Sequence, residues 1–495
     1  MEIAYPSALL TFLLYISILV AVSVYSARAM ARTKLEKYVD EFYTAGRGLG
    51  ALIIAFMIAA GLCSAGTFLG GPGLLWQLGL GWGMVVMAQV FMNFYVLGEF
   101  GKKIGIIARR INARSFVDIL RYRYENNNII VIGTVLAMLI FLSAYASAQF
   151  VGGARLIETI TGFPYSWGLL LYAGIVIVYT TFGGLRGAAM AILVQGIVMT
   201  VATIILMIFG ISHAGGIEEM FHTMAARSPD FIAPTGSAHL SLAYIASLWV
   251  VFGLVISALP HGIMGAMVYK STKALKRAII IGGALVILWS FGLTLLCGIA
   301  GTTINPELEV LDHNLPFLAF ESLPPAFAGL VLAGIGGAIQ STVGMMLIVI
   351  SGALVNDVYK RYIKPEAAPA TMKMVTGVTT GIIGIIVFAI AFTAPPALET
   401  IIIFAIGGLA SAFFFPLLGL YWPRANQYGA VVSMCGGMAF YIISKQFVPS
   451  LTLGMDPIVM SLLLSGALMV GVSKMTPKPS KEVLNVFWGR YPKEG

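Results

Sequence analysis

Long apolar stretches alternate along this chain with short segments that hold nearly all of its charge. A helix needs about 20 apolar residues to cross a hydrocarbon core. Read with their Gly and Pro punctuation, the stretches predict helices near 8–27, 51–73, 82–100, 129–151, 166–182, 189–212, 241–266, 278–300, 325–354, 374–394, 399–420, 428–446 and 457–473. The pattern is that of an all-α polytopic membrane protein with about 13 transmembrane helices. Residues 8–27 are too long for the apolar core of a cleavable signal peptide and have no basic segment ahead of them. They predict an uncleaved first helix.

Composition agrees: 59% of residues are hydrophobic and only 10% charged, where a soluble domain carries about 25% charged residues. The reading is one membrane domain, 1–475, followed by a cytoplasmic tail, 476–495. Basic residues then sort to one side of the helices. All but Arg155, Arg227 and Lys445 of the 30 Lys and Arg fall in alternate loops, beginning with Arg28 and ending in the tail. The positive-inside rule places that side in the cytoplasm, with the N-terminus outside and the C-terminus inside, in the cell (inner) membrane. A net charge of +9 thus reports topology, and no nucleic-acid partner is expected. Cys63, Cys297 and Cys435 lie apart in apolar runs, which gives neither a disulfide framework nor a metal cluster.

Two of the predicted helices are broken. The second reads MIAAGLCSAGTFLGGPG, with Gly61, Gly66, Gly70, Gly71, Pro72 and Gly73 around Ser64 and Thr67; the seventh reads FGLVISALPHGIMG, with Pro260 and Gly262 in mid-span. The second opens a group of five helices and the seventh opens another. An odd-numbered unit must insert its second copy upside down, and interrupted helices in matching places of two inverted halves point to a transporter's binding site. Unwound backbone frees amides and carbonyls that lipid cannot satisfy. The competing reading is that the glycines only permit close packing. The ninth helix adds Gly336 to Thr342, whose hydroxyls either bond back to the preceding helical turn or, beside freed carbonyls of another helix, offer a neutral oxygen cage suited to a hard cation such as sodium.

At these residues the chain resembles the sodium:solute symporter family, and the resemblance runs from about 8 to 475. It is carried by SAGTFLGGPG (64–73), GKKIGIIARRINA (101–113), QFVGGARLIETITGFPY (149–165), YTTFGGLRG (179–187), LPHGIMGAMVYKSTKALKRAIIIG (259–282), AIQSTVGMMLIVISGALVNDVY (338–359) and FFFPLLGLYWPRANQYGA (413–430). The match is strongest to the pantothenate-transporting branch. The resemblance implies a leucine-transporter-type fold with two inverted five-helix repeats. The leading helix would be 8–27, the repeats 51–212 and 241–420, and the trailing helices 428–473. It also implies alternating access, with downhill sodium entry driving uptake of a small organic anion, pantothenate first. A proline or monocarboxylate symporter, or a weakly sodium-coupled uptake protein of the same fold, is the alternative. The family's sodium ligands fall on the backbone oxygens of Ala60, Cys63 and Ala338 and the hydroxyls of Ser341 and Thr342. Two family positions differ. An aspartate after the GGLR loop is Ile192, and an arginine after the Pro-His of span 7 is Gly265. Where the proline-transporting members have an aspartate in the second span, this chain has Leu62, which agrees with the non-proline branch.

A substrate carboxylate can use the positive end of a half-helix at either break without a basic side chain. Ser64, Gly66 and Thr67 from the second helix, Gln149 from the fourth, and Ser257 and His261 from the seventh are the candidate substrate contacts. Gln149 could equally serve as a hydrogen-bonding group across a helix interface, and His261 as a cap on freed carbonyls. The partners expected are the organic carboxylate, sodium and the bilayer, with a monomeric functional unit. Sodium is the coupling ion and no cofactor is expected. No motif has metal-ligand or nucleophile–base spacing, which argues against an enzyme. A channel would need a charge ring or a repeated filter loop, and neither is present.

Overall fold

The computed structural model describes residues 6–237, 239–393 and 398–489. The regular structure of the described residues is all helical, with one isolated bridge between Leu49 and Tyr269 in place of any strand. The membrane-length helices follow the expected order. Span 1 is Pro6–Ala31, span 4 Asn128–Thr161, span 8 Thr272–Ile304, span 9 Pro325–Ile363, span 10 Pro369–Phe392, span 11 Leu398–Leu418 and span 13 Pro457–Met475. Span 3 occupies 80–101 in three consecutive helical pieces, and span 12 is Gln427–Gln446.

Spans 5 and 6 share one run, Tyr165–His213, whose only non-helical residue is Gly184, at φ 58° and ψ −163°. The six-residue gap expected between 182 and 189 shrinks to that turn. Only glycine adopts such a conformation easily, and a Cβ there would meet the Phe42 ring at 2.7 Å. Phe42 belongs to an amphipathic helix, Leu35–Thr44. The neighbouring Glu41 pairs with Arg186 at 2.5 Å.

Spans 2 and 7 are broken as expected. Span 2 is Ala51–Leu62 and Gly66–Leu78, bent by 62°; span 7 is Leu242–Ala258 and Pro260–Val268, bent by 43°. Span 9 lies at the centre, with 94% of its most apolar stretch buried, against 22% for span 1 at the periphery. The outer spans expose Leu10, Phe182, Ile208, Ile385 and Leu463. An apolar belt of that extent belongs in lipid rather than water, and the protein is a multi-pass membrane protein.

The basic loops gather at one end of the bundle. There the fully buried Arg123 donates to the carbonyls of Gly419 (2.9 Å), Trp422 (3.0 Å) and Ala425 (2.8 Å), just past the C-terminus of span 11. A cation is favoured at that negative end of a helix dipole. The tail folds back as a short helix, Lys481–Trp488, and Arg110 donates to the Val486 carbonyl at 2.7 Å. Arg490 and Lys493 of the expected tail, and Ala394 at the expected end of span 10, lie outside the described residues.

Candidate functional site

The break in span 2 exposes a run of backbone groups, and side chains from four neighbouring spans take them up. Cys63 leaves the helix at φ −86° and ψ 99°, so the carbonyls of the preceding turn lose their helical partners. Thr342 Oγ1 donates to the Ala60 carbonyl at 2.8 Å, with Ser341 Oγ 3.4 Å from the same oxygen. His261 Nε2 meets the Gly61 carbonyl at 3.1 Å. Beyond the break, the Ala65 amide donates to Gln149 Oε1 at 2.9 Å and the Gly66 amide to Ser64 Oγ at 3.3 Å. Thr294 of span 8 donates to the Thr67 carbonyl at 2.7 Å. Every one of these groups is buried, where an unmet amide or carbonyl costs about 1–3 kcal/mol.

Four of the five oxygens implied for sodium thus come together. Ser341 Oγ lies 2.7 Å and Thr342 Oγ1 3.0 Å from the Ala338 carbonyl, and both hydroxyls also face Ala60. Two hydroxyl protons serve four close contacts, so oxygen lone pairs outnumber donors. The cluster is neutral, all oxygen and wholly buried, which suits a hard monovalent cation rather than a transition metal. The fifth candidate, Cys63, is the residue at which the chain leaves the helix. Among the described residues, no group of three or more His, Cys, Asp or Glu is arranged to hold a metal.

Span 9 is held in register by tyrosines. Tyr172 donates to the Gly336 carbonyl at 3.1 Å and Tyr179 to the Gln340 carbonyl at 2.8 Å, while Tyr15 donates to Gln340 Oε1 at 3.0 Å. The two departures from the family are filled with hydrocarbon. Ile192 is buried, and a Cβ on Gly265 would meet Ile58 at 2.7 Å.

The candidate substrate residues divide. Ser64, Gly66 and Thr67 line a cavity of about 10 Å³ together with Gln89, Tyr145 and Glu399. That is about one water's worth of room. Gln149 accepts from the Ala65 amide and His261 meets the Gly61 carbonyl, both at the break. The His261 ring also packs edge-on against Tyr145, with centroids 5.5 Å apart. Ser257 turns back onto its own helix and donates to the Leu254 carbonyl at 2.7 Å.

Sequence reasoning missed Gln89, Tyr145, Thr294 and above all Glu399. Gln89 Oε1 accepts from Ser290 at 3.0 Å and from Thr67 at 3.4 Å. Tyr145 and Ser64 share a hydrogen bond of 3.2 Å. Glu399 is 6% exposed, and its Oε2 has no hydrogen-bond partner among the described residues. A signal was present: Glu399 is the first residue of the expected eleventh helix, and an acidic residue within a membrane span suggests function by default.

Known proteins resemble the chain over most of its length. A model of the "Sodium:solute symporter family" matches residues 42–437. A "Sodium/pantothenate symporter" of Escherichia coli (strain K12) is 35% identical over 482 residues, covering 96% of this chain and 98% of that one. One of Haemophilus influenzae is 35% identical over 448 residues, covering 87% and 92%. The "Osmoregulated proline transporter OpuE" of Bacillus subtilis is 28% identical over 462 residues, covering 91% and 92%. Among solved structures, a Na+-coupled sialic acid symporter in a substrate-bound outward-open state superposes with a TM-score of 0.80 at 19% identity, covering 96% of this chain and 99% of that one. The transporter Mhp1 in a closed conformation gives 0.56 at 14%, covering 90% and 97%. The fold is the leucine-transporter type, as expected.

Proposed function

The chain belongs to the sodium:solute symporter family, and from that premise we propose that it imports pantothenate, or a closely similar organic anion, with sodium across the bacterial inner membrane. Sodium-coupled solute import follows from the family and its relatives. The choice of solute rests on the two pantothenate relatives at 35% identity over most of the chain. Leu62, buried at the break, supports it against the proline alternative.

In this reading the N-terminus is outside and the basic end of the bundle faces the cytoplasm. Sodium binds between spans 2 and 9, on the oxygens of Ala60, Cys63, Ala338, Ser341 and Thr342. The observation that carries this is the convergence of both hydroxyls on the Ala60 and Ala338 carbonyls. The ion joins the broken span to the central one, and its departure releases that joint. Ser64, Gly66 and Thr67 contact the solute. Gln149, His261 and Ser257 shape the two breaks around it. The functional unit is a monomer, and neither a cofactor nor a chemical step is involved.

The test is uptake of labelled pantothenate by proteoliposomes with and without an inward sodium gradient. Gradient-dependent accumulation is expected, with sodium half-saturation weakened in Ser341→Ala and in Thr342→Ala and accumulation lost in the double variant. Uptake indifferent to sodium and to both substitutions would refute the coupling site. Sodium-driven uptake of proline but not pantothenate would refute the solute.

A further inference from the structure

A buried acid stands where the anion is expected to go. Glu399 opens span 11 against the second half of broken span 2. A Cβ on Gly66 would lie 2.6 Å from its Oε2, and one on Gly70 2.7 Å. The carboxyl therefore fits against two glycines at the positive end of the half-helix Gly66–Leu78, within the same cavity as Ser64 and Thr67. Its Oε2 has no hydrogen-bond partner among the described residues, and no described cation pairs with it. An ionised carboxylate there would fill the half-helix end that a substrate carboxylate needs, and would repel it in a medium of low dielectric.

We propose that Glu399 is a proton-gated substrate residue: an organic anion enters this cavity only when the Glu399 carboxyl carries a proton, which it then donates in a hydrogen bond to the anion. This rests on the organic-anion reading above.

The surroundings are consistent with a neutral carboxyl. Segments 66–70, 138–142 and 250–258, which pack against span 11, carry no ionisable side chain. Span 4 brings Tyr145, whose hydroxyl is engaged with Ser64, and His261 lies behind that ring. Span 7 brings Tyr244. Span 12 brings Tyr441, which donates to the Ile403 carbonyl, and Lys445, which is paired with Asp456 at 2.9 Å. Further out on span 4, Arg155 is paired with Glu158 at 2.9 Å.

The remaining charge acting on Glu399 is a second acid, Asp312, in the loop 311–313 at the end of the bundle opposite the basic one. Burial pushes the Asp312 carboxyl up to about 6, with the Arg155 charge working against it.

The test uses the full chain in proteoliposomes at saturating sodium, with initial rates of labelled pantothenate uptake from about pH 6 to about pH 10. In the wild type, KM should rise with pH, approaching about tenfold per pH unit at the alkaline end if one proton is required. Glu399→Gln, permanently neutral and still a donor, should be flat at the acid wild-type KM, with sodium half-saturation unchanged. A wild-type KM independent of pH, or a Glu399→Gln variant that keeps the slope, overturns the proposal. So does a variant whose sodium dependence weakens while its pH profile stays put, which would make Glu399 a ligand for a second cation.

Infrared spectra supply a readout that needs no substrate. The wild type should show the carbonyl stretch of a buried protonated carboxylic acid at neutral pH, shifted in Glu399→Asp. Its absence overturns the proposal. A wild type that takes up no pantothenate at any pH refutes the solute instead, and the carboxyl band then decides for Glu399.

Discussion

The two broken spans differ in what they do with the backbone they free. At span 2 three residues, Cys63 to Ala65, separate the half-helices and the chain turns by 62°. Its carbonyls and amides are then held by side chains from spans 4, 7, 8 and 9. At span 7 a single residue, Leu259, separates the halves and the bend is 43°. Pro260 makes this break by lacking an amide, and the local groups are satisfied at home. The Leu259 amide donates to Ile256 and the Ser257 hydroxyl to Leu254. Span 7 contributes to the site through His261, which reaches across to span 2. Symmetry of position therefore does not bring symmetry of chemistry: in the function proposed above, one break holds a ligand and the other braces it.

The largest effect should come from the ligand-holding break. Thr342→Ala removes the shorter hydroxyl contact to Ala60 and Ser341→Ala the shorter one to Ala338. Each should weaken sodium half-saturation by tenfold or more, about 1.4 kcal/mol per decade, and the double variant should abolish gradient-driven uptake. Sodium-dependent thermal stabilisation checks this independently of the solute. Unchanged stabilisation in the double variant would mean that the cation binds elsewhere.

Next comes the brace. His261→Leu keeps the bulk but strands the buried Gly61 carbonyl, at about 1–3 kcal/mol. The expected result is a lower Tm with sodium affinity reduced less than in Thr342→Ala. A variant as stable as the wild type would show that the carbonyl finds another partner and that span 7 does not brace span 2.

These two breaks were legible from the sequence because their causes are local. Glycine clusters and a mid-span proline act through φ, ψ and a missing amide, whatever surrounds them. Alternation of Lys and Arg likewise showed the order of spans, and the short polar loops showed their ends. What could not be read was direction. Whether the Ser257 hydroxyl faces the cavity or its own helix depends on a rotamer, and backbone acceptors three and four residues earlier always compete for it. Glu399 was visible as a charge at the edge of an apolar run. Its burial follows only from the packing of span 11 onto Gly66 and Gly70. The helical turn at Gly184 was hidden for a similar reason, since the space there is set by Phe42, some 140 residues earlier in the chain.

A smaller effect sharpens the comparison at the outer end of span 2, where Leu311 packs against Gly73 and carries Asp312 beside it. The Asp312 carboxyl is held up to about 6 by burial. The folded state therefore keeps a proton that the unfolded chain releases near its ordinary value of about 4. Stability should fall as pH rises from about 4 to about 6 and stay lower above that. Asp312→Asn removes the fall, so its Tm should exceed the wild type's by about 2 °C at neutral pH and match it below about pH 4. Melting curves across that range check the sign. A variant less stable at neutral pH would mean that Arg155 holds the ionised form.

The smallest expected effect is also the sharpest test of the asymmetry. Ser257 and Ser64 occupy comparable places, each within a few residues of a break, yet their hydroxyls have different partners. Ser64 joins Tyr145 and the Gly66 amide at the cavity, whereas Ser257 bonds to its own helix. Ser257→Ala loses a back-bond of little net value and should change stability by less than about 0.5 kcal/mol, with pantothenate KM within twofold of the wild type. Ser64→Ala should raise KM by about tenfold, because it unpairs a buried tyrosine hydroxyl and a backbone amide together. If Ser257→Ala proved as costly as Ser64→Ala, the span 7 break would have to open its hydroxyl to the solute during the cycle. Both breaks would then hold ligand.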